Sequence, residues 1–270
     1  MNTKSNLRLA IALFGAISIP AIAHAGEDVW SFSVGLGTVY APTYLGDDVG
    51  QLSFAPNLSV KYGDTFFASL GEGIGYNVIN SGGWRVGPVV KYHFGRDEDG
   101  DNLFAVTGDD TQDLVGLGDV DGTVELGGFV EYSIMDFTGK VELRQGVGGH
   151  EGFIGEAEVK YGTVFGLFGQ QAIFSFGPEV AFGDGNYNSA FFDVNAVQSA
   201  ASGLPVFDAG GGLISYGIGG SLVVPVTDSV SVISFASYDQ LTGDVADSSL
   251  VRLRGSENQS TLGMFLNYSF

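Results

Sequence analysis

Ten residues at the C-terminal end restrict this chain more than any other stretch. From Thr261 to Phe270, the residues Leu262, Met264, Leu266, Tyr268 and Phe270 share one parity. Thr261, Gly263, Asn267 and Ser269 share the other, and Phe265 is the one exception. A period of two held over that length makes a β-strand with a single apolar face. After residue 25 no apolar run approaches the ~20 residues that a membrane-crossing helix needs. A chain that spans a bilayer without such helices has one solution, a closed antiparallel barrel in which every backbone polar group finds a partner strand.

The other end fits an exported protein. Lys4 and Arg8 precede an apolar run from Leu9 to Ile22, which Pro20 interrupts, and Ala23-His24-Ala25 follows. That order reads as a secretory signal peptide over residues 1–25 with cleavage after Ala25. The barrel is then expected over residues 26–270. No Cys occurs, so no disulfide, lipoprotein anchor or thiolate metal site is expected. The net charge is −20, which makes nucleic acid an improbable partner because phosphate binding needs a basic surface. Gly is abundant at 43 residues and aromatics reach 13%, a composition that suits a barrel with crowded inner walls and aromatic girdles.

Alternation recurs along the chain. Trp30, Phe32, Val34, Leu36 and Tyr40 share a face, with the aromatics at the ends and the aliphatics between them. Gln51 to Tyr62 alternates with Pro56 inside it, which predicts a bulge. Thr65 to Val78 reads as one weak strand. Further strands are expected at Gly83–Gly95, Gly122–Ile134, from Phe137, Phe153–Tyr161, Ala172–Phe182, Gly212–Val224 and Ser229–Leu241. Ile214 is expected to face outward, and the facing of Val230, Val232, Ile233 and Phe235 is ambiguous. A short helix is expected over Asn195–Ser202. The pattern yields eleven strands, whereas both termini on one side require an even number. Twelve is the expectation and ten the alternative, with Phe191–Val194 or Leu250–Leu253 as the missing strand.

The inward parity carries charge. Lys61, Arg85, Lys91, Glu125, Glu131, Lys140, Glu142, Arg144, Glu156, Glu158, Lys160 and Glu179 would all point into a lumen, where acids and bases on neighbouring strands can pair. This network is expected to plug the barrel in preference to forming a transport path. Between Arg96 and Asp119 lies the longest acidic stretch. Asp97, Asp99 and Asp101 have the opening spacing of a calcium loop, but the Gly is misplaced and no Glu closes it, so a solvated loop is the default. On ten strands this loop lies outside the cell; on twelve it could be periplasmic.

Five stretches between the strands then match a family. They are Tyr40–Gly46, Gly116–Asp121, Gly148–Gly152, Gln198–Pro205 and Leu241–Ser248. In order and spacing they resemble the MipA/OmpV family of outer-membrane proteins over nearly the whole mature chain. Ser249 departs from the Pro expected there, implying a less rigid final loop. The resemblance implies an outer-membrane barrel; no enzymatic activity, cofactor or metal is expected. It also implies a scaffold between a murein-cleaving lytic transglycosylase and a bifunctional penicillin-binding protein. A porin-like channel for small solutes or antibiotics is the alternative. As in other outer-membrane barrels, the strand of Leu262, Met264, Leu266, Tyr268 and Phe270 is expected to address the chain to the barrel assembly machinery and to face lipid. A hydrolase would need a His beside a nucleophile. Outside the signal peptide only His93 and His150 occur, His150 beside Glu151, and no nucleophile motif accompanies them.

Overall fold

The structure, a computed structural model, describes residues 29–100, 105–107 and 111–270. The expected signal peptide and Asp101 lie outside the described residues. Strands β1 (Trp30–Pro42), β2 (Gly50–Tyr62), β3 (Phe66–Ser69), β4 (Gly73–Tyr76), β5 (Ile79–Ser81) and β6 (Trp84–His93) come first. Next are β7 (Ala105–Thr107), β8 (Thr123–Ile134), β9 (Phe137–Val147), β10 (Phe153–Leu167) and β11 (Gln170–Gly183). Helices α1 (Gly185–Phe192) and α2 (Ala196–Ser202) follow, then β12 (Gly212–Pro225) and β13 (Val230–Leu241). Helices α3 (Gly243–Asp247) and α4 (Ser249–Arg254) precede the last strand, β14 (Asn258–Ser269).

Neighbouring strands pair antiparallel around the wall, and β1 closes it by pairing with both β2 and β14. Because β4 and β5 both pair with β6, they fill one position, and the ring has twelve. Alternating residues then divide cleanly. Leu36, Leu126, Ile218 and Leu266 face outward and are exposed, as lipid-facing residues of a transmembrane barrel are. Aromatics gather in two bands. At the end near the termini, Trp30 lies 4.9 Å from Tyr62, Trp84 4.4 Å from Tyr132, and Phe137 5.3 Å from Tyr161. At the other end Tyr92 and Phe94 are 5.0 Å apart, and Phe153 and Phe182 5.9 Å.

Inward-facing glycines make room for large inward side chains. A Cβ on Gly75 would collide with the Phe67 ring, and one on Gly263 with the Phe235 ring. Phe235 stacks on Phe265 at 6.1 Å, so the β13–β14 wall also contributes bulk to the lumen. This settles the ambiguous parity of β13. Phe235 and Ile233 pair with the inward Gly263 and Phe265, and Val230 and Val232 pair with the outward Tyr268 and Leu266.

Several expectations are corrected. Thr65–Val78 is not one strand but the hairpin β3–β4, which turns at Leu70-Gly71-Glu72; this supplies the twelfth position. Neither segment proposed as the missing strand joins the wall: Leu250–Leu253 lies in α4, and Phe191–Val194 runs from the end of α1 to a lone bridge between Val194 and Phe207, their apolar residues packing among the loops and on the strand ends. Pro56 causes no bulge: β2 keeps an unbroken register with β1, Leu36 opposite Pro56. Ile214 does not face lipid. A register shift at Ala181/Phe182 turns it inward, where it is buried. The expected helix at Asn195–Ser202 forms as α2, with Asn195 capping it in a reciprocal box with Gln198.

The turns near the termini are short, such as Met135-Asp136 and Phe168-Gly169. All the long connections emerge at the opposite end, after β1, β6, β9, β11 and β13. In outer-membrane barrels short turns face the periplasm and long loops the exterior. The described parts of the acidic stretch, residues 96–100 and 111–119, therefore belong to the exterior end on twelve strands, not to the periplasmic one.

Candidate functional site

The lumen is lined by charges that the strand register puts side by side. Opposed pairs run Arg85–Glu131, Glu131–Lys140, Lys140–Glu158 and Glu158–Glu179 across β6, β8, β9, β10 and β11. Glu142 on β9 lies opposite Glu156 on β10, a like-charged pair that would be destabilising alone. Arg144 resolves it. Its Nε donates to Glu125 Oε2 at 2.6 Å, its Nη1 and Nη2 bind Glu156 at 3.0 and 3.1 Å, and Nη1 also bonds Glu142. Lys91 Nζ reaches Glu142 at 2.6 Å, and Lys140 Nζ reaches it at 3.0 Å. Lys160 joins Glu158 at 3.6 Å and also bonds Glu179. Arg85 pairs with Glu131 at 3.0 Å and lies over the rings of Phe67 and Phe129. Of the twelve charged residues singled out from the sequence, eleven enter these ion pairs; Lys61 enters none of them. Leu262, Met264, Leu266, Tyr268 and Phe270 lie exposed on the outer face of the closing strand.

Glu125, Glu142 and Arg144 are almost fully buried. A buried charge is tolerated only when paired and hydrogen-bonded, and each of these is. Such a set holds neighbouring strands together across the inner face of the wall.

Above the network the exterior loops fold into a cap with its own apolar core. Tyr187, Phe192, Val245 and Val251 form one cluster with Ile154, Ile214 and Leu241 from the strand ends. Tyr44, Leu114, Leu117, Val194, Leu204 and Leu250 form a second. Polar ties bind loop to loop. Gln198 Nε2 donates to Leu117 O at 2.6 Å, and Glu98 Oε2 accepts from the N–H groups of Gly116 and Gly118, both at 3.0 Å. Arg254 donates to Asp113 O at 2.6 Å and to Ser202 O. Ser249 donates to Pro205 O at 2.9 Å, so the residue expected to loosen the final loop instead fastens it. The five stretches that carry the family resemblance all lie in or beside this cap.

Among the titratable groups of the cap, the Asp47 carboxyl and the Arg96 guanidinium are displaced from their ordinary ranges. Burial raises the Asp47 carboxyl, and Asp113 and Asp48 push it in the same direction against hydrogen bonds from Thr43 and Val49. Burial pulls Arg96 down to about 10. The carboxylates of Asp47, Asp48 and Asp113 converge within 4.8 Å of one another, whereas Asp97 and Asp99 take no part in that group.

His150 sits where cap and network meet. Its Nδ1 accepts from Gly152 N–H at 3.0 Å, which leaves the proton on Nε2 to be donated to Glu125 Oε1 at 3.1 Å. Tyr187 covers its ring at 4.9 Å. Both nitrogens are thus engaged in fixing the cap to the network, and neither meets a serine hydroxyl in the bonds His150 makes. Between network and cap lies a cavity of about 100 Å³. Lys140, Glu142, Glu156, Glu158, Glu179 and Asp239 form its charged wall, with Leu45, Ile154 and Leu241 among the apolar lining. Parity in the sequence marks the charged wall except Asp239, which lies in the strand of ambiguous facing; it does not mark the cap, whose apolar residues are scattered among Gly, Asp and Ser without a period.

A family model described as MltA-interacting protein MipA matches residues 34–270. No curated protein matches the chain. Among solved structures, CdiB from Acinetobacter baumannii is similar at 10% identity and a TM-score of 0.37, over 91% of this chain and 60% of that one. The chain thus spans less than two thirds of CdiB's length. The COG4313 outer membrane channel from Pseudomonas putida F1 is similar at 10% identity and a TM-score of 0.45, over 93% of this chain and 99% of that one. The NanC porin is similar at 7% identity and a TM-score of 0.42, over 87% and 98%.

Proposed function

Because the chain belongs to the MltA-interacting protein MipA family, we propose that it is an outer-membrane docking barrel for peptidoglycan-remodelling enzymes. After export by its signal peptide and insertion by the barrel assembly machinery, it would hold a lytic transglycosylase and a penicillin-binding protein at the periplasmic rim. It contributes position and not catalysis. The observation that carries this reading over the porin-like alternative is the filled lumen: Arg144 clamped by Glu125, Glu142 and Glu156 beneath a cap with its own apolar core. A conducting pore needs mobile water along its axis, and buried, mutually paired charges displace it. The family description supplies the partner class.

The test is retention of purified periplasmic enzymes by the immobilised, refolded barrel. The proposal expects saturable retention of a lytic transglycosylase, with a penicillin-binding protein recruited at the same time. Retention of neither enzyme under conditions where the barrel is folded would end it.

A further inference from the structure

Strand β10 outruns its neighbour at the periplasmic end. It has 15 residues against 11 in β9, and the two pair only from Phe153 to Tyr161, opposite Phe137. Gly162 N–H adds a last bond to Asp136 O at 2.7 Å. Thr163, Val164, Phe165, Gly166 and Leu167 then continue the strand with β11 alone, up to Leu167 opposite Gln170. Tyr161 belongs to the aromatic band at this end, and Leu167 lies about 20 Å further along the strand. The hairpin therefore reaches past the lipid interface.

Its free edge presents backbone groups in a defined order. Phe168 and Gly169 both have positive φ, 51° and 81°, as in the two-residue hairpin turn whose flanking residues bond each other. Leu167 thus directs its N–H and C=O to Gln170, and by alternation Phe165 and Thr163 also face β11. Val164 and Gly166 direct theirs to the other side, the side on which Gly162 meets Asp136. Among the described residues neither has a backbone partner there. The chain around them, 111–270, is described without a break, and residue 29 adjoins β1, five strand positions away. A Cβ on Gly166 would meet nothing within 4 Å.

Folded proteins blunt such edges with Lys, Pro or a bulge. Thr163–Leu167 carries no charge and no Pro. The tips beside it are apolar. Met135 and Phe168 are each 93% exposed and hold positive φ, at turn positions where Gly, Asn or Asp is favoured. Val164 and Phe165 are exposed as well. The flanking charge has one sign: Asp136 and Asp228 stand exposed on the turns to either side, and neither turn contains Lys or Arg.

We propose that the β10 edge is a strand-addition site for an extended segment of a periplasmic protein, with apolar residues against Val164 and Phe168 and a Lys or Arg beside Asp136. Main-chain bonds to Val164 and Gly166 supply the affinity, as in other strand-addition complexes. This names the contact through which the docking role proposed above would act, and it rests on that role. A second copy of the chain fits badly, because it would set acidic turns against acidic turns in a protein of net charge −20.

The test uses the immobilised, refolded mature barrel and a purified periplasmic lytic transglycosylase. Gly166→Pro deletes one edge N–H and puts a ring on the free side, whereas Gly166→Ala keeps the N–H. Affinity should fall about tenfold or more in Gly166→Pro, stay within roughly twofold in Gly166→Ala, and fall several-fold in Asp136→Lys. A photo-crosslinking residue in place of Val164 should join to one extended segment of the enzyme, and this decides the matter if Gly166→Pro does not fold. Folding of each variant is read from heat-modifiable electrophoretic mobility. If the parent barrel retains no enzyme, the docking role fails and the edge site with it. If the parent retains the enzyme and Gly166→Pro retains it equally, or Val164 cross-links only to a second barrel, the edge site alone is wrong.

Discussion

Glu142 and Glu156 lie directly opposite each other on adjacent strands inside the lumen, and Arg144 bonds both. The pairing shows how the network is constructed. Register forces two carboxylates together, and the next inward residue on the same strand carries the cation that neutralises them.

Removing that cation should be costly. Arg144→Met leaves Glu125, Glu142 and Glu156 buried beside one another, and breaking one side of a buried ion pair typically costs about 3–5 kcal/mol. The variant is expected to unfold at a clearly lower urea concentration than the parent barrel. Adding Glu142→Gln should recover part of the loss, because it removes one of the two opposed carboxylates.

The cap should yield separately from the barrel. Leu250 is fully buried among Tyr44, Leu114, Leu117, Val194 and Leu204. Leu250→Ala is expected to cost the cap about 2–5 kcal/mol. Limited proteolysis should then cut residues 184–211 and 242–257 faster, while heat-modifiable mobility of the barrel stays as in the parent.

Acid should strengthen the cap through Asp47. Its carboxyl is raised in the folded state, chiefly by burial and further by Asp113 and Asp48, so the folded cap holds its proton more tightly than the unfolded segment does. Stability from this group therefore falls as pH rises through the interval from the unfolded value up to the raised one, and the penalty persists at neutral pH. Asp47→Asn should make cap proteolysis slower at neutral pH and flatten its dependence on acidification. Equal pH dependence in both proteins would contradict the assignment.

Phe270 closes the ring at its lipid face. Its ring stacks 5.8 Å from Phe32, and backbone bonds join the two residues in both directions. Deleting Phe270 is expected to lower the amount of folded protein in the outer membrane several-fold, measured by heat-modifiable mobility of membrane fractions. An unchanged folded fraction would show that assembly does not depend on this residue.

The barrel was legible because lipid and lumen impose opposite demands on alternate residues. Trp30 to Tyr40 and Leu262 to Phe270 state those demands without ambiguity, and the inward charges follow from the same parity. The strand count was harder. Thr65–Val78 contains glycines and Glu72, and short hairpins whose turn lies inside the wall look like a single weak strand. The cap was hidden for a different reason. Leu114, Leu117, Val194, Leu204 and Val251 pack in three dimensions from loops far apart in sequence, and irregular backbone leaves no period to read. Parity alone puts Ile214 on the lipid face, whereas one shifted register turns it to the core, and no local sequence signal marks the shift.

The most direct test of the closed lumen is single-channel conductance of the refolded barrel in planar bilayers. With Arg144, Lys91 and Lys140 holding Glu125, Glu142 and Glu156 beneath the cap, the account predicts a protein that inserts and stays electrically silent. Stable, uniform opening steps from the unmodified protein would contradict it and return the inward charges to the role of a selectivity filter.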